Sequence, residues 1–417
     1  MKKRTFFLIL LIIFAIILGW IGYKRFYSNN SKFVSSENIS QDNSNSEDSD
    51  LTVKTTKKED ITINMSVIGD IMCHNSQYID AFSGSTYDFS YVFSDIKHYI
   101  DNADIAIGNL ETTFAGAARG YSNYPTFNTP EQLAQNLKDF GIDVVSTANN
   151  HCMDTGYKGL VSTLDYLDSA GISHTGTSRT QEEQNTVLIK DINGIKIAFL
   201  SFTYGTNGIP VSSERAYSVN LISDELILNQ LQLAKAQNPD LICVSMHWGI
   251  EYQNTQNKEQ ERLADLLFQN GTDIILGSHP HVLQPMEKRT ITLEDGSTKD
   301  GFVIYSLGNF MSGQTKERTR NSIILNIELT KNGETDKISI GNISYVPIYM
   351  YKNTSKTTQK YLVLDIENAI KQYDSGNHII NSSTYSTLKT ELSRIKNTME
   401  SKSHKNITSK NSGDIFI

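Results

Sequence analysis

Thr272–His281 reads TDIILGSHPH: an apolar run at 273–276, a Gly-Ser step, then two histidines on either side of a proline. A short Ile/Leu run bounded by turn residues reads as a buried strand. Alternate histidines beside its end can address two neighbouring cations, which makes His279-Pro280-His281 the strongest single cluster in the chain. The same grammar recurs in both directions. Further runs at 63–68, 104–108, 143–147, 196–203, 240–246 and 302–307 also read as buried strands. Polar clusters accompany them: Gly69-Asp70, Asn109-Leu110-Glu111, Asn149-Asn150-His151, His247-Trp248-Gly249 and Leu307-Gly308-Asn309. Between the runs lie helical patterns at about 88–101, 130–140 (Thr129 as N-cap), 157–170 ending at Gly171, and 257–270 ending at Gly271.

Strand–helix alternation predicts an α/β fold with largely parallel central strands. Two later stretches, 321–330 and 337–349, flank Asn332-Gly333 and read as a hairpin, so a mixed or two-sheet architecture is expected. In open α/β sheets, ligands bind beyond the carboxyl ends of the strands. Six clusters of metal-ligand residue types at such ends therefore predict one site.

Outside this region the composition changes. Residues 1–4 are a short basic tail, and 5–23 form an almost unbroken apolar stretch expected to be an uncleaved membrane anchor. Residues 24–60, rich in Ser, Asn and acidic side chains, read as a disordered tether. The chemistry-bearing domain is placed at 61–352. The remainder, 353–417, is read as a helical extension (361–373 and 384–400) with a tail. By the positive-inside rule the N-terminus is cytoplasmic and the bulk lies outside the cell membrane. Beyond Arg25, 33 basic residues face 46 acidic ones, a formal charge of −13. That balance excludes nucleic acid as a partner and leaves any anionic substrate to be captured locally. Cys73, Cys152 and Cys243 are too few for a disulfide-built fold and read as buried thiols. The sparing use of cysteine and the Asn/Lys/Ile-rich composition lean toward a Gram-positive source.

Each cluster has a plain reading and a chemical one. Asp70 is a turn or cap aspartate, or an oxygen ligand. Glu111, two residues from Asn109, is a solvated strand-end carboxylate or a bridge between two cations. Asn150 offers a neutral amide oxygen. His151 can give a proton to a leaving group near neutral pH, with Asp154 placed to accept its other ring N–H. His247 is a core histidine or a ligand, with Glu251 behind it as a supporting or substrate-contact group. Asn309 suits a structural or substrate-contact role. Together, Asp70, Glu111, Asn150, His247, His279 and His281 supply enough N and O donors for two borderline divalent ions, with Mn, Fe or Zn fitting best. Two such ions make a hydrolytic site. No competing nucleophile elbow, phosphate loop or C-x-x-C pair is present in the sequence.

At these positions the chain resembles the CapA family of poly-γ-glutamate capsule biosynthesis proteins, whose fold is similar to calcineurin-like metallophosphoesterases. The strings that carry the resemblance are GDIM, GNLE, ANNHCMDTGYKGL, HWGIEY, GSHPHVLQP and YSLGNF, in order from Gly69 to Phe310. The resemblance implies a metallo-dependent phosphatase-like sandwich of two β-sheets flanked by helices. It assigns Asp70, Glu111 and His281 to one metal, Glu111, Asn150, His247 and His279 to another, and His151 as general acid. One position departs: where those enzymes carry the His of an Asp-x-His pair, this chain has Met72. The resemblance further implies a role in making, exporting or anchoring poly-γ-glutamate or another envelope polymer, beside a membrane-bound synthase. Two other functions stay open on the sequence: an extracytoplasmic metallophosphoesterase, and a non-catalytic envelope assembly factor.

Overall fold

The computed structural model describes residues 58–292 and 298–401. The apolar stretch 5–23 and nearly all of the tether lie outside the described residues. Among those described, no helix is long and apolar enough to cross a membrane.

Among the described residues, fourteen strands form two sheets. In chain order they are β1 (Ile61–Met72), β2 (Ile105–Leu110), β3 (Val144–Ser146), β4 (Ser173–Thr175), β5 (Leu188–Ile192), β6 (Ile195–Thr203), β7 (Leu241–His247), β8 (Ile274–Ser278), β9 (Leu283–Thr292), β10 (Thr298–Leu307), β11 (Asn309–Ser312), β12 (Asn321–Lys331), β13 (Ile338–Lys352) and β14 (Tyr361–Asp365). The first sheet runs β14-β13-β12-β1-β2-β3-β4, with β11 also paired to β1; the second runs β5-β6-β7-β8-β10-β9. Strands β1 to β4 and β6-β7-β8-β10 are parallel; helices supply the crossovers this requires, except between β8 and β10, where β9 intervenes. Antiparallel strands close three of the four edges, at β14, β5 and β9, while β4 closes the fourth in parallel with β3.

Alternation along the strands builds a layered sandwich. Ile105, Ile107, Ile197 and Phe199 point into the apolar layer between the sheets. Their neighbours Ala106, Ala198 and Leu200 point outward. The outer face of the first sheet is covered by the helices Gln132–Phe140 and Gly156–Ala170. Asp224–Ala236 and Lys258–Gln269 cover the second. Strands buried on both faces have near-continuous apolar sequence, and this is why their runs stood out. The three thiols are free and buried, and burial raises all of them, Cys152 to about 12.

Several elements differ from the sequence reading. The pattern at 88–101 is a short 3-10 turn, Ser90–Phe93, and a one-turn helix, Lys97–Ile100. The expected helix at 361–373 begins as β14, because Tyr361-Leu-Val-Leu pairs antiparallel with β13; Asp365 then caps the helix Ile366–Asp374 by accepting the Asn368 N–H. The last helix, Ser382–Met399, contributes Leu388, Ile395 and Met399 to the layer between the sheets. Asp70 lies inside β1, not beyond its end. The strand continues to Met72 because β11 pairs with that portion, and the register with β2 shifts between Val67 and Asp70. A bulge of this kind re-aims a side chain. Here it marks where the two sheets meet, as the Asp70 N–H donates to the Gly308 carbonyl at 2.9 Å.

Candidate metal centre

The ends of β1, β2, β7 and β8, with the turns that follow them, bring the predicted ligands together. Among the described residues, two fully buried groups of donors emerge, each with ligand atoms mutually within 4.8 Å: Asp70, Glu111 and His281, and Glu111, His247 and His279. All five residues are buried, and Glu111 belongs to both groups. Its Oε1 lies 3.6 Å from His247 Nε2 and 3.8 Å from His281 Nε2. Asp70 Oδ2 is 3.3 Å from His281 Nδ1.

Other side chains set this geometry. Asn109 donates through Nδ2 to Asp70 Oδ1 at 2.9 Å and to Glu111 Oε2 at 3.4 Å, so it binds both carboxylates from behind. Asn149 donates to the Leu110 carbonyl at 2.7 Å, and its Oδ1 accepts the His151 N–H. Asn150 Oδ1 sits 2.9 Å from His247 Nε2 while its Nδ2 donates to Asn207. Asn309 Oδ1 lies 3.1 Å from His281 Nδ1, and its Nδ2 donates to Gln314 and the Thr319 carbonyl. It thus stands behind a histidine. Glu251 is exposed, yet its carboxylate groups with His279 and His281 within the same 4.8 Å limit.

The backbone at the two histidines is unusual. His279 has φ 95° and His281 φ 60°, both in the left-handed region that non-glycine residues avoid. Neighbouring bonds hold the turn: the Tyr252 N–H donates to the Pro280 carbonyl at 2.8 Å and the Trp248 N–H to Ser278 at 3.2 Å. Strain of this kind costs on the order of 1–3 kcal/mol per residue and collects at functional sites.

The electrostatics favour a cation. Asp70 Oδ2, Glu111 Oε1 and His279 Nδ1 are buried with no hydrogen-bond partner, a condition that costs stability unless something satisfies it. Burial, and then the charge of Asp70, push the Glu111 carboxyl well above its ordinary range. Burial, and then the neighbouring histidines, push His247 well below its own and His279 down to about 3. With the Ser278 hydroxyl donating to the Met246 carbonyl, its oxygen accepts from His247 Nδ1–H at 2.9 Å. His247 Nε2, Asn150 Oδ1 and Glu111 Oε1 then face one another as acceptors, an arrangement a divalent ion resolves. The donor set fits such an ion by residue type and by these unpartnered atoms.

Beside the donors stands a His–Asp pair. His151 Nδ1 is 2.7 Å from Asp154 Oδ2, which also accepts the Phe127 N–H at 2.6 Å. In Asp154→Asn the amide oxygen can keep both donors, but the NH2 group takes the place of Oδ1, which is buried with no partner. We expect a loss of roughly 1–3 kcal/mol in denaturant unfolding, the cost of a buried donor left unpaired, with unchanged cation affinity. A fall in cation affinity equal to that of a ligand variant would place Asp154 among the ligands instead.

Three contributors escaped the sequence reading. Tyr204 packs its ring 4.5 Å from His279 and nearly parallel to His247. Asn207 contacts Asn150 and His151, and Ser278 holds His247. The first two lie in Tyr204-Gly-Thr-Asn-Gly208, directly after β6. It is a seventh strand-end cluster, whose Gly and Asn content reads as an ordinary turn.

Known proteins place this arrangement in context. Among solved structures, the chain is similar to the calcineurin-like phosphoesterase YfkN from Bacillus subtilis, with a TM-score of 0.41 and 13% identity over 81% of this chain and 99% of that one. It is also similar to the NAD nucleotidase NadN of Haemophilus influenzae, with a TM-score of 0.43 and 14% identity over 81% of this chain and 61% of that one. In sequence it is 30% identical to the capsule biosynthesis protein CapA of Bacillus anthracis over 288 residues, 66% of each chain. It is 28% identical to the PGA biosynthesis protein CapA of Bacillus subtilis over 330 residues, 78% of this chain and 83% of that one. The family model of the bacterial capsule synthesis protein PGA_cap matches residues 64–314, which contain every donor described above. The chain belongs to that capsule synthesis family.

Proposed function

We propose that this protein acts outside the cell in making, exporting or anchoring poly-γ-glutamate, held to the membrane by residues 5–23 and working beside a membrane-bound synthase. We assign it a metal-dependent hydrolase or transferase centre acting on the γ-glutamyl polymer. Family membership supports the polymer. One observation carries the centre: Glu111 is common to two buried donor groups whose members include three polar atoms with no partner in the protein.

Asp70, Glu111 and His281 would hold one divalent ion, and Glu111, Asn150, His247 and His279 a second. Bound there, such ions supply Lewis acidity and a hydroxide-like nucleophile at neutral pH. The chain itself does the rest. Asn109 keeps the two carboxylates at a fixed separation, and Ser278 sets the His247 ring. Asp154 accepts the Nδ1–H of His151, which leaves Nε2 to exchange a proton with the leaving group. Phe127, edge-on to His151 at 4.8 Å, and Tyr204 above the histidines wall the site.

Incubation of the full chain and Mn²⁺ with poly-γ-glutamate tests the reading. We expect release of glutamate oligomers, reduced on the order of a hundredfold or more in His279→Ala. Phosphate release from aryl phosphates with the polymer intact would move the substrate to a phosphorylated envelope component. A metal-loaded protein inert toward both would be an assembly factor.

A further inference from the structure

At one place the sequence departs from the Asp-x-His pattern of calcineurin-like metallophosphoesterases: Met72 stands where they carry the His. Met72 is buried in β1, where its thioether is a poor donor for a hard or borderline ion. His74, two residues on, is the obvious substitute, but its Nδ1 accepts the Gly313 N–H at 3.0 Å and its ring packs edge-on against Phe127. It belongs to none of the donor groups found among the described residues.

We propose that Glu251 is a metal ligand, its carboxylate closing the metal centre at His279 and His281. This rests on the centre described under the proposed function. The geometry comes first: the Glu251 carboxylate and one ring nitrogen of each histidine lie mutually within 4.8 Å. Glu251 is carried on a turn whose shape is fixed from both sides. Gly249 has φ 86° with Gln260 packed against it, and Tyr252 has φ 66° with its N–H bonded to the Pro280 carbonyl between the two histidines. The turn and the His-Pro-His segment are therefore tied together by backbone, and the carboxylate reaches the histidines from the solvent side. One of these two histidines, His279, carries the buried Nδ1 that has no hydrogen-bond partner.

The test is equilibrium metal binding by the full chain, kept in detergent, with Mn²⁺ and Co²⁺ as probes. Wild type, Glu251→Ala, Glu251→Asp and Glu111→Ala are compared by bound equivalents and by the Co²⁺ visible spectrum. We expect Glu251→Ala to lose one equivalent at a free metal concentration that saturates wild type, and to change the Co²⁺ bands. Glu251→Asp should recover part of the loss, and both Glu251 variants should unfold at the wild-type temperature in chelator, since Glu251 is exposed. Wild-type stoichiometry and spectrum in Glu251→Ala, with Glu111→Ala defective, would overturn the assignment of Glu251 alone. Absence of bound metal in wild type would overturn the centre itself, and Glu251 with it.

Discussion

Replacing Glu111 by Gln should invert its effect on stability according to whether a divalent cation is present. In the cation-free protein the Glu111 carboxyl is raised by burial and by Asp70, Glu251 and Asp154. A group raised on folding adds stability below its unfolded value and loses it as pH rises through the folded value. As pH rises from its unfolded toward its folded value, Glu111 therefore costs the fold stability. Gln does not titrate, so in chelator the variant should be at least as stable as wild type, with the advantage growing as pH rises above the ordinary carboxylate range. His247 and His279 act oppositely: both are depressed in the fold, and stability through them falls as pH drops below the ordinary histidine range. Saturating Mn²⁺ should stabilise wild type by roughly 2.7 kcal/mol at a hundredfold excess over the dissociation constant. Glu111→Gln should gain little, because one substitution removes a donor from both groups. Thermal unfolding with and without chelator reads the crossover. Two parallel stability differences, with no exchange of rank, would mean that Glu111 is an ordinary buried acid.

Gly69→Ala should prevent folding or weaken it severely. A methyl group there would overlap the carbonyl oxygen of Gly308, which is backbone and already accepts the Asp70 N–H. No rotamer relieves a clash between two main chains. Separating them means parting β1 from the end of β10, where the sheets meet and Asp70 is aimed. Overpacking of this kind costs about 3 kcal/mol or more, a fall on the order of 10 °C for a domain of this size. Soluble yield and circular dichroism melting measure it. A variant melting with wild type would contradict the close approach, and with it the placement of Asp70. Gly277 holds the equivalent position in the second sheet, against the Tyr305 carbonyl, and serves as a matched control.

These two residues show what the sequence could and could not say. The doubly buried strands were legible because continuous Val/Ile/Leu runs have one economical explanation, burial on both faces. Their polar ends were legible because ligand-type residues recurring at strand ends converge wherever the strands are parallel. That logic gathers Asp70, Glu111, His247, His279 and His281 without knowledge of strand order. Pairing was not legible. β4, β5, β9, β11 and β14 are defined by their partners, and β14 carries an apolar pattern that suits either a strand or a helix. The left-handed backbone at His279 and His281 is likewise invisible in residue types that do not favour it. Tyr204 and Asn207 escaped for the opposite reason: Tyr-Gly-Thr-Asn-Gly is so typical of a turn that its position against the histidines leaves no trace.

The central claim is that Glu111 lies between two cations. Crystals of the full chain grown with Mn²⁺, measured at the manganese absorption edge, test it most directly. The account predicts anomalous peaks on both sides of the Glu111 carboxylate, one beside Asp70 and His281 and one beside His247 and His279. An ordered Glu111 with no anomalous peak within coordination distance would contradict it.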